Sequence, residues 1–305
     1  QRAVPRLRVG VREIPQFPAH DVLAIAAVLR VPAFGAQNLF VVPSDRPVRY
    51  PGSLCVAPRV LENDDLRVEA ASDGSLDVLD KATGRLYGGL HAFEDGGEIG
   101  DPWNRIVPET DEVLTSRGGK ARVRRVENGP LVARLEVEVT MRLPEGVTPD
   151  RSRRSAKRVR FPIRTVLELR RGSRLLDVTT TFDNVVRDHR LRVLLPTRLA
   201  CSHSHAHMPF DVTARAVHVP DGAGWIEPPT GRCPQKWFVD VSDGAAGLAV
   251  LNEGITQYEV LEDGDRTLAL TLMRCFQMRN TVQNIDYPDQ GGSQCPGRHV
   301  YRYAL

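Results

Sequence analysis

Apolar and polar residues alternate along most of this chain. Within residues 131–143, Leu135, Val137, Val139 and Met141 fall on one side, and Arg134, Glu136, Glu138 and Thr140 on the other. A repeat of two is the period of a strand with one buried face. Similar patterns predict strands over 66–70, 76–79, 121–126, 162–170, 174–182, 190–195, 247–252, 258–261, 267–274 and 299–303. Turn signals separate them: Asp73-Gly74, Thr83-Gly84, Asn128-Gly129-Pro130 and Arg171-Gly172-Ser173. Helical periodicity is nearly absent from residue 60 onward, and no repeat of fixed length is evident. The expected fold is all-β, a large antiparallel β-sandwich.

Residues 1–58 differ. Prolines at 5, 15, 18, 32, 43, 47, 51 and 58 exclude long helices and suit edge strands and turns. Short strands are predicted over 6–11, 22–31 and 39–42, although a helix over 19–30 fits the periodicity equally well. The chain therefore divides into residues 1–58 and a main domain over 59–305.

Composition narrows the classes of function. The chain has 305 residues, 41% apolar and 26% charged, as expected for a globular protein. A net charge of +3, from 41 basic and 38 acidic residues, gives no overall field for nucleic acid or an anionic membrane. No apolar run approaches the roughly 18 residues of a membrane span. Five cysteines, odd in number and without a CxxC pair, read as reduced thiols, which places the protein in the cytoplasm.

The most informative chemistry lies in residues 90–108. Gly96, Gly97, Gly100, Pro102 and Pro108 interrupt a segment carrying Glu94, Asp95, Glu98 and Asp101, with Phe93 and Trp103 among them. Such a segment is expected to be a shaped loop. Carboxylates accept from sugar hydroxyls, and an indole covers the apolar face of a pyranose. A solvated turn is the plainer alternative.

These residues carry a resemblance. Phe93-Glu94-Asp95-Gly96-Gly97, then Gly100-Asp101, Trp103 and Pro108, is similar to a signature of glycoside hydrolase family 38, the α-mannosidases. Residues 61–68, 188–197 with 209–212, and 294–299 with 301–305 resemble further stretches of that family in the same order. The likeness runs from about residue 60 to the last residue. It implies a galactose-mutarotase-like supersandwich, preceded in residues 1–58 by the tail of a smaller β-sandwich. It also implies that the nucleophile, the acid/base and a zinc ion belong to an N-terminal catalytic domain of the same polypeptide, leaving no cofactor and no catalytic residue in this chain.

What the resemblance carries over is a supporting role, with a loop (Glu94 to Pro108) lent to the sugar site of a retaining α-mannosidase. Asp95, Asp101, Trp103 and Asn104 are the expected substrate contacts. Trp103 stands where the family has a tyrosine and Pro102 where it more usually has an acid, so the contact itself departs from the pattern. The alternative is a stand-alone carbohydrate-binding or mutarotase-like sandwich.

Other constellations are weaker. His203, His205 and His207 share one face if residues 203–207 are a strand, but neighbours on that face are about 7 Å apart, too far for three to bind one zinc without a bend. A polar loop is the simpler expectation there. The basic run over 151–160 lacks interleaved aromatics and reads as a solvated hairpin extension. Asp183-Asn184 and Asp188-His189 suggest turns with satisfied hydrogen bonds. No Gly-x-Ser-x-Gly elbow or phosphate loop is present.

Overall fold

The structure, a computed structural model, describes residues 6–8, 24–29, 31–40, 51–226, 229–277, 279–280, 285–286 and 292–305. Three antiparallel sheets carry the fold. The first has five strands in chain order: Cys55–Ala57, Val60–Glu62, Leu66–Ala70, Leu76–Asp80 and Arg85–Leu90. The second has nine. Its left half runs Ala121–Glu127, Val132–Pro144, Arg158–Arg170 and Leu176–Asn184. Its right half runs Gly247–Glu253, Phe238–Ser242, His203–Met208 and Asp211–Ala216. The late strand Gly297–Ala304 lies between the halves, paired with Leu176–Asn184 on one side and Gly247–Glu253 on the other. The third sheet has six strands in the order Arg232–Pro234, Gln257–Val260, Thr267–Cys275, His189–Pro196, Ala92–Gly97 and Leu114–Thr115.

The period-two pattern is realised directly. Leu135, Val137, Val139 and Met141 are buried and join one continuous apolar core with Leu61, Val68 and Leu76 of the five-stranded sheet and Leu191, Val193, Leu268 and Leu270 of the six-stranded sheet. All three sheets therefore close on a single core, which makes the molecule an antiparallel sandwich. Tyr87 ties two of them together, its hydroxyl donating to Gly247 O at 2.9 Å.

Several expectations are corrected. The packed body begins at Leu54 and Cys55, because Cys55–Ala57 pairs with Val60–Glu62 across the expected boundary at 58/59. Ahead of it, Arg6–Arg8 pairs with Ala24–Ala26, a strand where a helix fitted equally well. The strand expected over 39–42 is not formed at 39–40, and 41–42 lie outside the described residues. Ala92–Gly97 is a strand, not loop, with Phe93 and Asp95 on its core face and Glu94 on the other, across a paired ladder. His203–Met208 is also a strand, paired on both sides, with its turn at Pro209 and Phe210 (φ 70°).

Candidate functional site

The chain passes from the five-stranded to the six-stranded sheet in one residue. His91 sits between Leu90 and Ala92 with φ 66°, and its N–H donates to Leu194 O at 2.9 Å. The ring is buried, with Nε2 2.6 Å from the Tyr303 hydroxyl. Burial lowers its pKa to about 4. This corner aims the next strand, and with it the acidic segment.

Residues 98–113 form the loop proper, held by two buried ionic anchors. Glu98 has no exposed side-chain surface. One of its oxygens accepts from Gly100 N (2.9 Å) and Ile106 N (3.3 Å), and the other from Arg274 Nε (2.9 Å). Arg274 Nη2 also donates to Asp101 O (3.0 Å) and Asn104 O (3.2 Å). The loop closes on itself through Ile99 N to Ile106 O (2.8 Å) and Asp101 N to Asn104 O (2.9 Å). Gly100 is required at the crossing: a Cβ there would lie 1.9 Å from Asn104 O.

The second anchor is Asp95. Its carboxylate faces the core, where it pairs with Arg154 and accepts from His189 Nδ1 at 2.5 Å. The other edge of His189 lies 3.2 Å from Asn184 Oδ1. Asn184 in turn donates to Gln294 O (2.9 Å) and Cys295 O (3.1 Å). Asn184 and His189, expected to make satisfied hydrogen bonds, do so. The basic run is corrected by the same contacts. Arg154 is buried, and Arg151 Nη2 donates to Ile99 O at 2.9 Å. These two arginines brace the loop, whereas Arg153 and Arg158 on the same run are not buried.

The four expected substrate contacts thus part company. Asp95 is corrected: it is fully buried and its oxygens are engaged by Arg154 and His189, so it cannot face a sugar. Asp101 is 4% exposed, and its Oδ1 accepts from Trp103 N (2.9 Å) and Asn104 N (2.6 Å), shaping the tip. Asn104 is half-buried beside it. Trp103 alone projects outward, 79% exposed. A large aromatic left this open departs from the burial usual for an indole.

The histidine strand gives a different picture. His203 and His205 are exposed, His207 is partly buried, and the intervening Ser204 and Ala206 face the core. Among the described residues no group of three or more His, Cys, Asp or Glu side chains is placed to hold a metal ion. Among the strands missing from the sequence reading, Arg232–Pro234 and Phe238–Ser242 are short and follow a Pro- and Gly-rich stretch that masks their alternation.

The fold is that of a large antiparallel β-sandwich domain, and comparison with known proteins narrows this. Residues 61–282 match the glycosyl hydrolases family 38 C-terminal domain, and the chain belongs to that family. It is 29% identical over 259 residues to a protein of Halalkalibacterium halodurans described as "Putative mannosylglycerate hydrolase", covering 80% of this chain and 28% of that protein. Among solved structures, it superposes on an α-mannosidase from Enterococcus faecalis V583 with a TM-score of 0.79 at 29% identity, covering 86% of this chain and 30% of that one. A family 38 glycosyl hydrolase from Enterococcus faecalis gives a TM-score of 0.76 at 28% identity, covering 86% and 32%. The chain thus spans about a third or less of the length of these relatives.

Proposed function

We propose that this chain is the C-terminal sandwich portion of an α-mannosidase-like glycoside hydrolase. In this reading it supports an N-terminal catalytic domain of the same polypeptide and lends the loop that follows Gly97, through Pro108, to the sugar site. The observation that carries the reading is Trp103, held open at the tip of a loop anchored by two buried ion pairs. The indole would cover the apolar face of a mannoside, with its N–H as a single donor. Asp101 and Asn104 would set its orientation through the tip hydrogen bonds. Asp95 would act at one remove, by fixing the strand from which the loop departs.

The similarity to family 38 supports a retaining cleavage of α-mannosides. That chemistry needs a nucleophile and an acid/base at defined separation, and Asp95 and Glu98 here are consumed by structural pairs. The zinc that the family implies would likewise be held by the catalytic domain. The described residues of this chain do not fit it, since the histidines of 203–207 lie spread along one strand. The Halalkalibacterium halodurans relative described as "Putative mannosylglycerate hydrolase" brings mannosides of small acids within the range of substrates.

The test is turnover of an aryl α-mannoside by the 305-residue chain and by a longer polypeptide that includes the residues upstream. Turnover by the longer polypeptide alone is expected. Trp103→Ala in it should lower kcat/KM about tenfold or more, mostly through KM, while Trp103→Phe retains most of the activity. Turnover by the 305-residue chain itself would refute the supporting role.

A further inference from the structure

Two of the free cysteines meet where the six-stranded and nine-stranded sheets adjoin. Cys275 closes the strand Thr267–Cys275, and Cys295 lies just ahead of the strand Gly297–Ala304. Backbone contacts bring the two together. Phe276 N donates to Ser293 O at 3.2 Å, and Cys295 Sγ lies 3.9 Å from Arg274 O and 3.9 Å from Ser293 O. Asn184 Nδ2 spans the pair, 3.4 Å from Cys275 Sγ and 3.1 Å from Cys295 O. The two thiols hydrogen-bond to each other, with Cys275 as donor.

The sulfurs differ in their surroundings. Cys275 is fully buried. Cys295 is partly exposed, with a left-handed backbone (φ 44°) ahead of Pro296 and of Gly297 at φ 97°. Such a φ is costly for a cysteine and persists where the surroundings impose it. Here His299 holds the turn, its Nε2 2.8 Å from Cys295 O. The hydrogen bond from Cys275 lowers the Cys295 pKa to about 6 against the effect of burial, and the nearby His299 and His189 add to the lowering. The same hydrogen bond, together with burial, keeps Cys275 protonated. Burial pushes the thiols of Cys201 and Cys233 up. A thiolate that solvent can reach, beside a protonated thiol, is the arrangement of an oxidisable cysteine and its resolving partner.

We propose that Cys295 and Cys275 form a redox-modification site, in which a hydroperoxide oxidises Cys295 and Cys275 then closes a disulfide with it. In the first step the Cys295 thiolate attacks one oxygen of hydrogen peroxide. An S–O bond forms, the O–O bond breaks, and hydroxide leaves a sulfenic acid behind. In the second step the Cys275 sulfur attacks the sulfenic sulfur. An S–S bond forms and the S–O bond breaks. The departing hydroxide and the first one leave as water, with the Cys275 proton and the proton that Cys295 had released. Two thiols are oxidised to one disulfide while one peroxide is reduced to two waters, and a dithiol reverses the change. The pair is tied to the braced loop on two sides. Asn184 Oδ1 lies 3.2 Å from His189, which holds Asp95. Arg274, the neighbour of Cys275, binds Glu98 and the tip carbonyl of Asp101.

The full-length polypeptide, reduced and freed of reductant, is treated at about pH 7 with an equimolar amount of hydrogen peroxide, and remaining thiols are alkylated before digestion. Trypsin cuts after Arg274, Arg279 and Arg298, so Cys275 is released in residues 275–279 and Cys295 in residues 280–298. The two peptides should be recovered joined, two hydrogens lighter than their sum, and separable by dithiothreitol. Without peroxide, iodoacetamide should alkylate Cys295 about tenfold faster than Cys233, which is also partly exposed. Cys275→Ser should abolish the crosslink and leave a sulfenic acid at Cys295 that dimedone captures. If that variant, altered at a fully buried position, does not fold, Cys295→Ser decides: Cys275 should then stay reduced under the same peroxide. Absence of the crosslink in the folded, unaltered protein overturns the site, as does a crosslink no more frequent than in protein unfolded by urea. Equal alkylation of Cys295 and Cys233, or oxidation of Cys275 at an undiminished rate in Cys295→Ser, overturns it as well.

Discussion

His91 adopts a left-handed backbone that a histidine reaches only at some cost, and its ring is sealed beside Phe93 and Tyr303. With a folded pKa of about 4 against an ordinary 6.5, the ring takes a proton more readily when unfolded. Between those values the unfolded chain binds more protons, so stability rises with pH across the window and is lost as pH falls from about 6.5 toward 4. The shift corresponds to about 3 kcal/mol at most. Denaturant melts at pH 7 and pH 4.5 should show this loss, and His91→Asn, which tolerates the same φ, should shrink it. An unchanged pH slope in that variant would assign the effect to other groups. His91 was not legible in the sequence, because neither its φ nor its burial follows from its neighbours' identities. Arg154 was not legible either. It lies in a run that reads as solvated, and its partner Asp95 is 59 positions away, a separation that no local pattern reports.

At the scale of the element, the strands were the readable part. Alternation of Leu135 to Met141 against Arg134 to Thr140 survives into the nine-stranded sheet with every apolar position buried. The acidic segment was read as all loop because glycine and carboxylate density outweighed the alternation of Ala92–Gly97. Its true loop begins at Glu98, where the chain turns on Gly100. Gly100→Ala should force Asn104 O and Ile106 N away from the new methyl, which would stand 1.9 and 2.7 Å from them. We expect local opening that costs about 1–3 kcal/mol. Faster hydrogen exchange at the Ile99 and Asp101 amides should accompany it, since both bond across the loop. Protection unchanged at those two amides would show that the loop accommodates the methyl.

At the scale of the molecule, one core serves three sheets. Leu61 in the five-stranded sheet and Leu270 in the six-stranded sheet are both fully buried in the same cluster. Leu61→Ala and Leu270→Ala should each cost about 2–5 kcal/mol and lower one shared transition. Calorimetry with separate peaks, one moved by each variant, would show that the sheets unfold independently. The antiparallel class was readable in the sequence, whereas the short strands and the sheet membership were not, since alternation needs several residues to show and says nothing about which strand lies alongside.

The strand Gly297–Ala304 is laid between two half-sheets whose own strands come far earlier in the chain. On the ribosome, Leu176–Asn184 and Gly247–Glu253 are therefore synthesised with open edges facing a gap. Each is a row of unpaired amides able to recruit a strand from another nascent chain. Neither edge is sealed until residues 297–304 have left the exit tunnel. The sheet thus stays open until this late strand emerges, and a product truncated before residue 297 is a form exposed to aggregation and to chaperone capture.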